Sequence, residues 1–301
     1  MNEIDQIVLN YNQDGILLMN MSLGFIMFGV ALKLTPNDFY LVLINPKSAL
    51  VGFLSQFIAL PFITFLLILV IQPLPSLALG MMLVAACPGG NISNFMTDLS
   101  GGNTALSVSM TAVASLLAVF MTPLNIAIWG GLYEPTAAIL SAVSISFFEM
   151  AKIVGMILVL PMIIGMTVRA YKPIVADKLH IFTHYGSMII FVAIVALAFQ
   201  ANFQHFLDYI HIVVLIVLVH NASAILTGLG LAKLFRLPIA DQKTLAIETG
   251  IQNSGLGLGL IFAFFGGLGG MAIVAGWWGI WHIFSGLGIA YYFRRKSLLA
   301  V

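Results

Sequence analysis

Two short stretches dominate the sequence: CPGGNISN at residues 87–94 and ETGIQNSG at residues 248–255. Each lies inside a run apolar enough to cross a lipid bilayer, and each brings glycines, amides and hydroxyls to the middle of that run. In the first stretch, Pro88 removes a backbone donor and clashes with the preceding turn. This pattern predicts that the helix breaks near residues 88–91.

The second stretch carries a polar patch, residues 251–254, which Gly250 and Gly255 bracket, and we expect a second break in this stretch. Irregular backbone at membrane depth persists only where protein or a cavity buries it. The two breaks are therefore expected to lie inside a helical bundle, away from lipid.

The composition is typical of an all-α polytopic membrane protein. Of 301 residues, 61% are hydrophobic and 8% are charged, whereas soluble domains carry about 25% charged residues. The net charge of +1 argues against nucleic acid as a partner, and the single cysteine excludes an internal disulfide. Nothing in the sequence indicates an obligate protein partner. We expect a protein integral to the cytoplasmic (plasma or inner) membrane, with the lipid bilayer as its surroundings.

Hydrophobic runs divide the chain into helical spans, each of which needs roughly 20 mostly apolar residues. We count nine spans, and no soluble domain interrupts them, so the chain is expected to form a single membrane domain over residues 1–301. The spans cover about 15–33, 47–72, 76–99, 103–130, 150–170, 179–202, 208–235, 240–266 and 270–294.

The distribution of cations predicts the orientation, because cytoplasmic loops are rich in Lys and Arg. With the N-terminus outside and nine spans, all twelve Lys and Arg residues except Lys152 fall in the inner connectors and the C-terminal tail. The sequence therefore predicts an outer N-terminus and a cytoplasmic C-terminus. Lys243 is among the cations assigned to an inner connector.

The two interrupted spans hold corresponding places in the chain. Each is followed by a short connector and one more long span, at residues 103–130 and 270–294. Spans one to four and six to nine therefore read as two repeats, and the fifth span, as linker, inverts the second copy. Paired interrupted spans in inverted repeats indicate the binding site of a secondary transporter.

Glu248 is the most informative residue of the interrupted spans. A carboxylate well inside a span costs roughly 2.5–3.5 kcal/mol on insertion scales, which marks it as a functional candidate. Several side chains with neutral oxygen atoms surround the breaks. Such oxygens can bind a cation, and they favour sodium, a hard cation, over a proton. A proton relay would need a chain of titratable groups, and only Glu248 is plainly buried. The oxygens are those of Ser93, Asn94, Ser107, Thr111 and Gln56.

Other functions remain open at this point. A proton-coupled or uncoupled carrier of a small carboxylate metabolite, such as pantoate, would use the same frame. An intramembrane enzyme is less consistent with the sequence, because it contains neither His-Glu-x-x-His nor Gly-x-Ser-x-Gly. A membrane sensor would need an output domain, and no soluble domain is evident.

The two opening stretches resemble the bile acid:sodium symporter family, which includes the animal hepatic and ileal carriers and their bacterial homologues. Weaker matches are Gln56 with Pro61 and the segment 107–111, and the resemblance runs from about Met19 to Arg295. It implies two inverted repeats with two broken, crossing helices, arranged as a core domain and a panel domain. By analogy the core holds the helices of about 47–130 and 208–294, and the panel those of about 15–33, 150–170 and 179–202.

The resemblance also implies two sodium ions and an organic anion, bile acid-like or another carboxylate or sulfonate, and no organic cofactor. The first sodium site would use Ser93, Asn94, Ser107, Thr111 and Glu248. The second would use Gln56, Glu248, Gln252 and the backbone carbonyls of Thr249 and Ile251. The substrate would lie between core and panel, near Asn91, Asn253 and His282.

Three features depart from the bacterial members of that family. Many of those have ten spans, whereas nine are counted here, as in the animal carriers. Asn91 resembles the animal form, and Ile283 stands where some bacterial homologues carry a polar Asn. Ile283 removes a polar contact and therefore argues against carrying the substrate of those homologues over to this chain.

Overall fold

A computed structural model describes residues 13–44, 46–143, 146–201 and 203–298, and every regular element in these ranges is a helix. The helices are α1 (Gln13–Ala31), α2 (Pro36–Ile44), α3 (Pro46–Ile71), α4 (Pro75–Ala86), α5 (Ile92–Ser100), α6 (Thr104–Gly130), α7 (Glu134–Val143), α8 (Phe147–Tyr171), α9 (Pro173–Ala201), α10 (Phe203–Leu234), α11 (Ile239–Gly250), α12 (Ser254–Phe264) and α13 (Gly269–Leu298).

Five of the described helices are long and apolar enough to cross a bilayer unbroken, namely α3, α6, α8, α10 and α13 over most of their lengths. They coincide with predicted spans two, four, five, seven and nine. Predicted spans three and eight are each divided into two short helices by a break. Span three corresponds to α4 and α5, and span eight to α11 and α12. The all-helical, polytopic character is therefore confirmed.

The first interruption falls where the sequence predicts it. Helix α4 ends at Ala86, and α5 begins at Ile92 after an extended Cys87. The second interruption covers residues 251–253, since α11 ends at Gly250 and α12 begins at Ser254. It lies within the polar patch that Gly250 and Gly255 bracket in the sequence.

The two breaks meet as a short antiparallel pair in which Gly89 faces Gln252. The Gly90 amide donates to the Ile251 carbonyl at 2.7 Å, and the Asn253 amide donates to the Pro88 carbonyl at 2.8 Å. These bonds satisfy backbone groups that the interrupted helices leave without intrahelical partners. A side chain at Gly90 would put its Cβ 3.1 Å from the Gln252 carbonyl oxygen, so the close approach favours glycine.

Helix α4 forms the centre of the fold. It is buried from Ser76 to Ala86, as expected for a helix that is hydrophobic all round. It packs closely on α13, where a Cβ at Gly80 would lie 2.9 Å from the Met271 Cα. The first broken span is therefore enclosed by protein rather than by lipid.

Helix α2 occupies a segment that the span count leaves as a connector. Its start carries a Thr-x-x-Asp capping pattern, in which the Thr35 amide and hydroxyl both bond the Asp38 carboxylate, at 2.7 and 2.8 Å. This local signal predicts a helix start, although the segment is too short for a span.

Candidate functional site

Glu248 lies one turn before the second break and is fully buried. Its Oε1 accepts a hydrogen bond from the Ser93 hydroxyl of α5 at 2.5 Å and another from the Ser107 hydroxyl of α6. The Thr111 hydroxyl, one turn further along α6, lies 3.2 Å from Oε2. Three helices thus converge on one carboxylate.

The Asn94 side chain completes this group. Its Oδ1 lies 2.8 Å from the Ser107 hydroxyl and 3.2 Å from the Thr111 hydroxyl. The structure therefore brings all five residues expected for the first sodium site into one cluster, which we call the carboxylate cluster: Ser93, Asn94, Ser107, Thr111 and Glu248.

The carboxylate cluster holds more acceptors than donors. A hydroxyl carries one proton, yet Ser107 and Thr111 each face both the Glu248 carboxylate and Asn94 Oδ1. At least some of these oxygen pairs therefore share no proton. Neutral oxygens with a single carboxylate suit a hard cation, and an excess of lone pairs is the arrangement that such a cation relieves.

No Lys, Arg or His side chain of the described residues lies within ion-pair distance of Glu248. Lys243 precedes it on the same helix, and the assignment of Lys243 to a connector was wrong, because it is a buried residue of α11. Its ammonium donates to the carbonyls of Ser100 and Gly101, at 3.1 and 3.4 Å. The negative charge of Glu248 is therefore stabilised by the surrounding hydroxyls or by a bound cation.

Gln56 lies in a π-helical turn of α3, Ser55–Ala59, directly before Pro61. Proline disrupts the preceding helical bonds, and π turns are common at functional sites. Both polar atoms of the Gln56 amide are buried without a hydrogen-bond partner in the described chain. An unpartnered buried amide is costly, so the Gln56 amide is a candidate to contact a ligand.

Gln56 and Glu248 meet at the first break. A Cβ built on Gly89 would lie 2.9 Å from Glu248 Oε2 and 3.1 Å from Gln56 Nε2. The absence of a side chain at Gly89 therefore keeps a space between the second carboxylate oxygen and the Gln56 amide.

The remaining residues expected for the second sodium site lie across the paired breaks. Gln252 faces Gly89 and donates from Nε2 to the Thr249 carbonyl at 2.8 Å, while its Oε1 is buried without a partner. The Thr249 and Ile251 carbonyls each accept one hydrogen bond, and each retains a second lone pair. These residues form the second group, here called the amide group: Gln56, Glu248, Thr249, Ile251 and Gln252.

The residues expected to contact substrate are only partly brought together. Asn91 directly precedes α5 and Asn253 directly precedes α12, each beside the paired breaks and each partly exposed. The Asn91 amide makes a weak contact with Met27 Sδ of α1 at 3.8 Å. His282 is buried in α13 with Nδ1 unpartnered, and no hydrogen bond of the described residues links it to either asparagine.

Two supporting residues escaped the sequence-based site assignment. Asn221 of α10 is buried and donates from Nδ2 to the Gly250 carbonyl at 2.7 Å, capping the end of α11. The Ser55 hydroxyl lies 2.8 Å from the Thr249 hydroxyl. A polar residue inside an apolar span was the available signal, but no sequence pattern indicates which backbone group it serves.

The premise that Glu248 is the only plainly buried titratable group was wrong. His220 is also fully buried, with Nε2 2.8 Å from the Thr64 hydroxyl and its ring 4.8 Å from that of Trp278. His282 is buried as well. Neither histidine is hydrogen-bonded directly to Glu248 in the described chain.

Comparison with known proteins gives a consistent match. A family model described as "Sodium Bile acid symporter family" matches residues 20–209, more than half of the chain. The Bacillus subtilis (strain 168) protein named "Uncharacterized sodium-dependent transporter YocS" is 34% identical over 275 residues, which cover 91% of this chain and 82% of that protein.

Two eukaryotic relatives are more distant. The Oryza sativa subsp. japonica protein "Probable sodium/metabolite cotransporter BASS2, chloroplastic" is 31% identical over 80% of this chain and 55% of its own length. The human "Sodium/bile acid cotransporter 4" is 29% identical over 75% of this chain and 51% of its own length. The chain thus spans about half the length of these two relatives.

Proposed function

The chain belongs to the sodium bile acid symporter family, and we propose that it imports an organic anion together with sodium by alternating access. The family consists of membrane-embedded transporters rather than enzymes, and the apolar helices of this chain agree with an integral membrane protein. The coupling ion and the substrate are the parts proposed for this protein.

The observation that carries the proposal is the carboxylate cluster. Glu248 is fully buried, lacks a cationic partner among the described residues, and is surrounded by neutral oxygens that outnumber their protons. One sodium ion in this cluster would neutralise Glu248. A second in the amide group would use Glu248 Oε2 and the unpartnered oxygens of Gln56 and Gln252.

The architecture proposed for transport has nine spans in two inverted repeats. In this arrangement α3 to α6 and α10 to α13 form the core, in which the broken helices cross, and α1, α8 and α9 form the panel. Core and panel would move against one another and open the same site to alternate sides. The N-terminus would lie outside and the C-terminus in the cytoplasm, following the distribution of cations.

The substrate would bind next to the paired breaks, between core and panel. The first turns of α5 and α12 carry partial positive charge, which favours a carboxylate or sulfonate. Asn91 and Asn253 stand at those turns, and His282 would contribute from α13. With an inside-negative potential, each net positive charge moved inward would add roughly 2.3 kcal/mol per 100 mV.

Substrate identity can be approached by a thermal-shift screen of organic anions on the purified protein. Ligands that bind the native state raise its apparent stability. We expect a carboxylate or sulfonate to shift unfolding more in sodium than in choline.

Transport is tested in proteoliposomes with the anion that the screen selects. Uptake is expected to require an inward sodium gradient and to stop when choline replaces sodium. Uptake that does not depend on sodium and follows a proton gradient would overturn sodium coupling. It would favour the alternative, a proton-coupled carrier of a small carboxylate.

A further inference from the structure

We propose that a route lined by buried hydroxyls leads from the carboxylate cluster to the end of the fold that carries Lys243. The Lys243 ammonium closes this route. The inference rests on the proposed sodium binding at Glu248, and it concerns how the ion leaves rather than where it binds. The hydroxyls that line the route are those of Thr97, Ser100 and Thr244.

The route begins at Ser107, whose hydroxyl bonds Glu248 and also lies 3.3 Å from the Thr97 hydroxyl. From Thr97 it continues past Gly102, where the packing is close. A Cβ at Gly102 would lie 2.9 Å from Thr97 Cγ2, 3.0 Å from Thr244 Oγ1 and 3.2 Å from Ser100 Oγ. Gly102 therefore marks the place where the three lining residues converge.

Two of the lining hydroxyls direct their protons to backbone carbonyls. Ser100 donates to the Thr97 carbonyl at 2.8 Å. Thr244 lies 3.0 Å from the Ala240 carbonyl of its own helix and accepts from the Asn103 amide at 2.8 Å, which leaves its oxygen one lone pair. A hydroxyl that donates to backbone still offers its oxygen as an acceptor. Such oxygens suit a partly dehydrated cation better than an anion.

All three lining residues are fully buried in this conformation, so the route is closed. Single Ser and Thr residues in membrane helices are often packing contacts. Here three of them connect the candidate ion site to a polar end of the bundle, on α5 and α11, which flank the paired breaks. This continuity distinguishes a route from isolated packing contacts.

Lys243 stands at the far end of the route. Its side chain is buried and its ammonium bonds the Ser100 and Gly101 carbonyls at the C-terminus of α5, where the helix dipole favours a cation. Glu248 follows five residues later on α11, about 7.5 Å along the helix axis. A sodium ion leaving Glu248 by this route would approach the ammonium and be repelled.

The same end of the bundle also carries a carboxylate, that of Asp241. Its oxygens are engaged by the Ser48 hydroxyl at 2.6 Å and the Asn103 amide at 2.9 Å. These bonds hold α11 against α3 and the start of α6. The Lys243 ammonium and the hydrogen bonds of Asp241 therefore lie at the same end of the proposed route. The hydrogen bonds hold the helices together there, and the ammonium supplies the charge that repels the ion.

The charge of Lys243 is tested by sodium exchange in proteoliposomes that contain the whole protein. We expect Lys243→Gln to accelerate ²²Na exchange by about fivefold, the factor set by the repulsion of two unit charges about 4 Å apart in water-like surroundings. Lys243→Arg, which keeps the charge, is expected to exchange at the wild-type rate. Equal rates for all three proteins would overturn the closure by charge.

The lining is tested with Thr97→Val, which replaces a hydroxyl by a methyl group of similar size. We expect ²²Na exchange to slow by about tenfold, because the ion loses one oxygen along the route and its barrier rises. The sodium-induced thermal shift should stay unchanged. A reduced thermal shift would make Thr97 a binding or structural residue and overturn the route. A wild-type protein without sodium exchange or thermal shift would refute the proposed sodium binding itself.

Discussion

The break at residues 87–91 and the break at residues 251–253 are held open by different means. The first contains Pro88 and two glycines, so its own backbone cannot continue the helix. The second contains no proline. Its preceding carbonyl, that of Gly250, is capped by Asn221 from a distant helix, and Asn253 caps the helix that follows.

The two breaks also contribute different chemistry. The first leads into Ser93 and Asn94, which offer neutral oxygens, whereas the second follows Glu248, which offers the charge. Because the breaks pair through Gly89 and Gln252, these groups meet only when both segments are in place. The comparison suggests that one segment supplies shape and neutral ligands while the other supplies charge and adjustable contacts.

The largest expected effect concerns the charge carried by the second segment. Glu248→Gln should weaken sodium binding by about 3 kcal/mol or more, roughly 100-fold in Kd, because a buried ion loses its only charged partner. The measurement is the sodium dependence of thermal unfolding and of uptake. Glu149→Gln, at an exposed position of α8, serves as the control and should retain wild-type sodium dependence. Full sodium dependence in Glu248→Gln would remove this residue from the site.

The next effect separates the ways in which the breaks are held. Asn221→Ala leaves the Gly250 carbonyl buried without its donor, which should lower the free energy of unfolding by about 1–3 kcal/mol. Ser223→Ala, on the same helix, removes a hydroxyl bonded to the His220 carbonyl and should change stability by less than about 0.5 kcal/mol. Thermal unfolding in detergent compares the two. Equal losses would mean that Asn221 has no special role at the second break.

A third prediction concerns stability and binding together. Gln56→Leu removes an amide that has no hydrogen-bond partner, so unfolding without sodium should require about 1 kcal/mol more free energy than in wild type. The sodium-induced thermal shift should decrease. The comparison variant is Gln242→Leu on α11, whose amide bonds the Leu237 carbonyl and whose loss should leave the sodium shift intact. A destabilised Gln56→Leu in sodium-free buffer would show that the amide has an internal partner.

The sequence predicts the first break better than the second, and the comparison explains why. Proline and glycine act on their own backbone, so Pro88 alone places the first interruption correctly. The limits of the second depend on Asn221 and Asn253, whose hydrogen bonds require the fold, so the sequence indicates the break without its limits. Local chemistry can be inferred from neighbours in sequence, but a cap from another helix cannot.

The site residues divide in the same way. Glu248 is conspicuous in the sequence because a carboxylate inside a span is costly. The contacts that bring Ser107 to Glu248 and Thr97 to Ser107 depend on the packing of α5, α6 and α11. Lys243 shows the opposite error, since its charge suggested a solvated connector, whereas the C-terminal carbonyls of α5 accommodate it inside the bundle.

The smallest expected effect concerns the two asparagines that directly precede the helices after the breaks. Asn253 Oδ1 accepts from the Leu256 amide at 3.0 Å, whereas Asn91 makes no such capping bond. Asn253→Ala should therefore cost about 1 kcal/mol of stability, and Asn91→Ala should cost little, because its amide only contacts Met27 Sδ. Both should weaken anion-induced thermal shifts. If Asn91→Ala alone reduced the anion shift, the first break would supply the substrate contact and the second asparagine would serve as a cap.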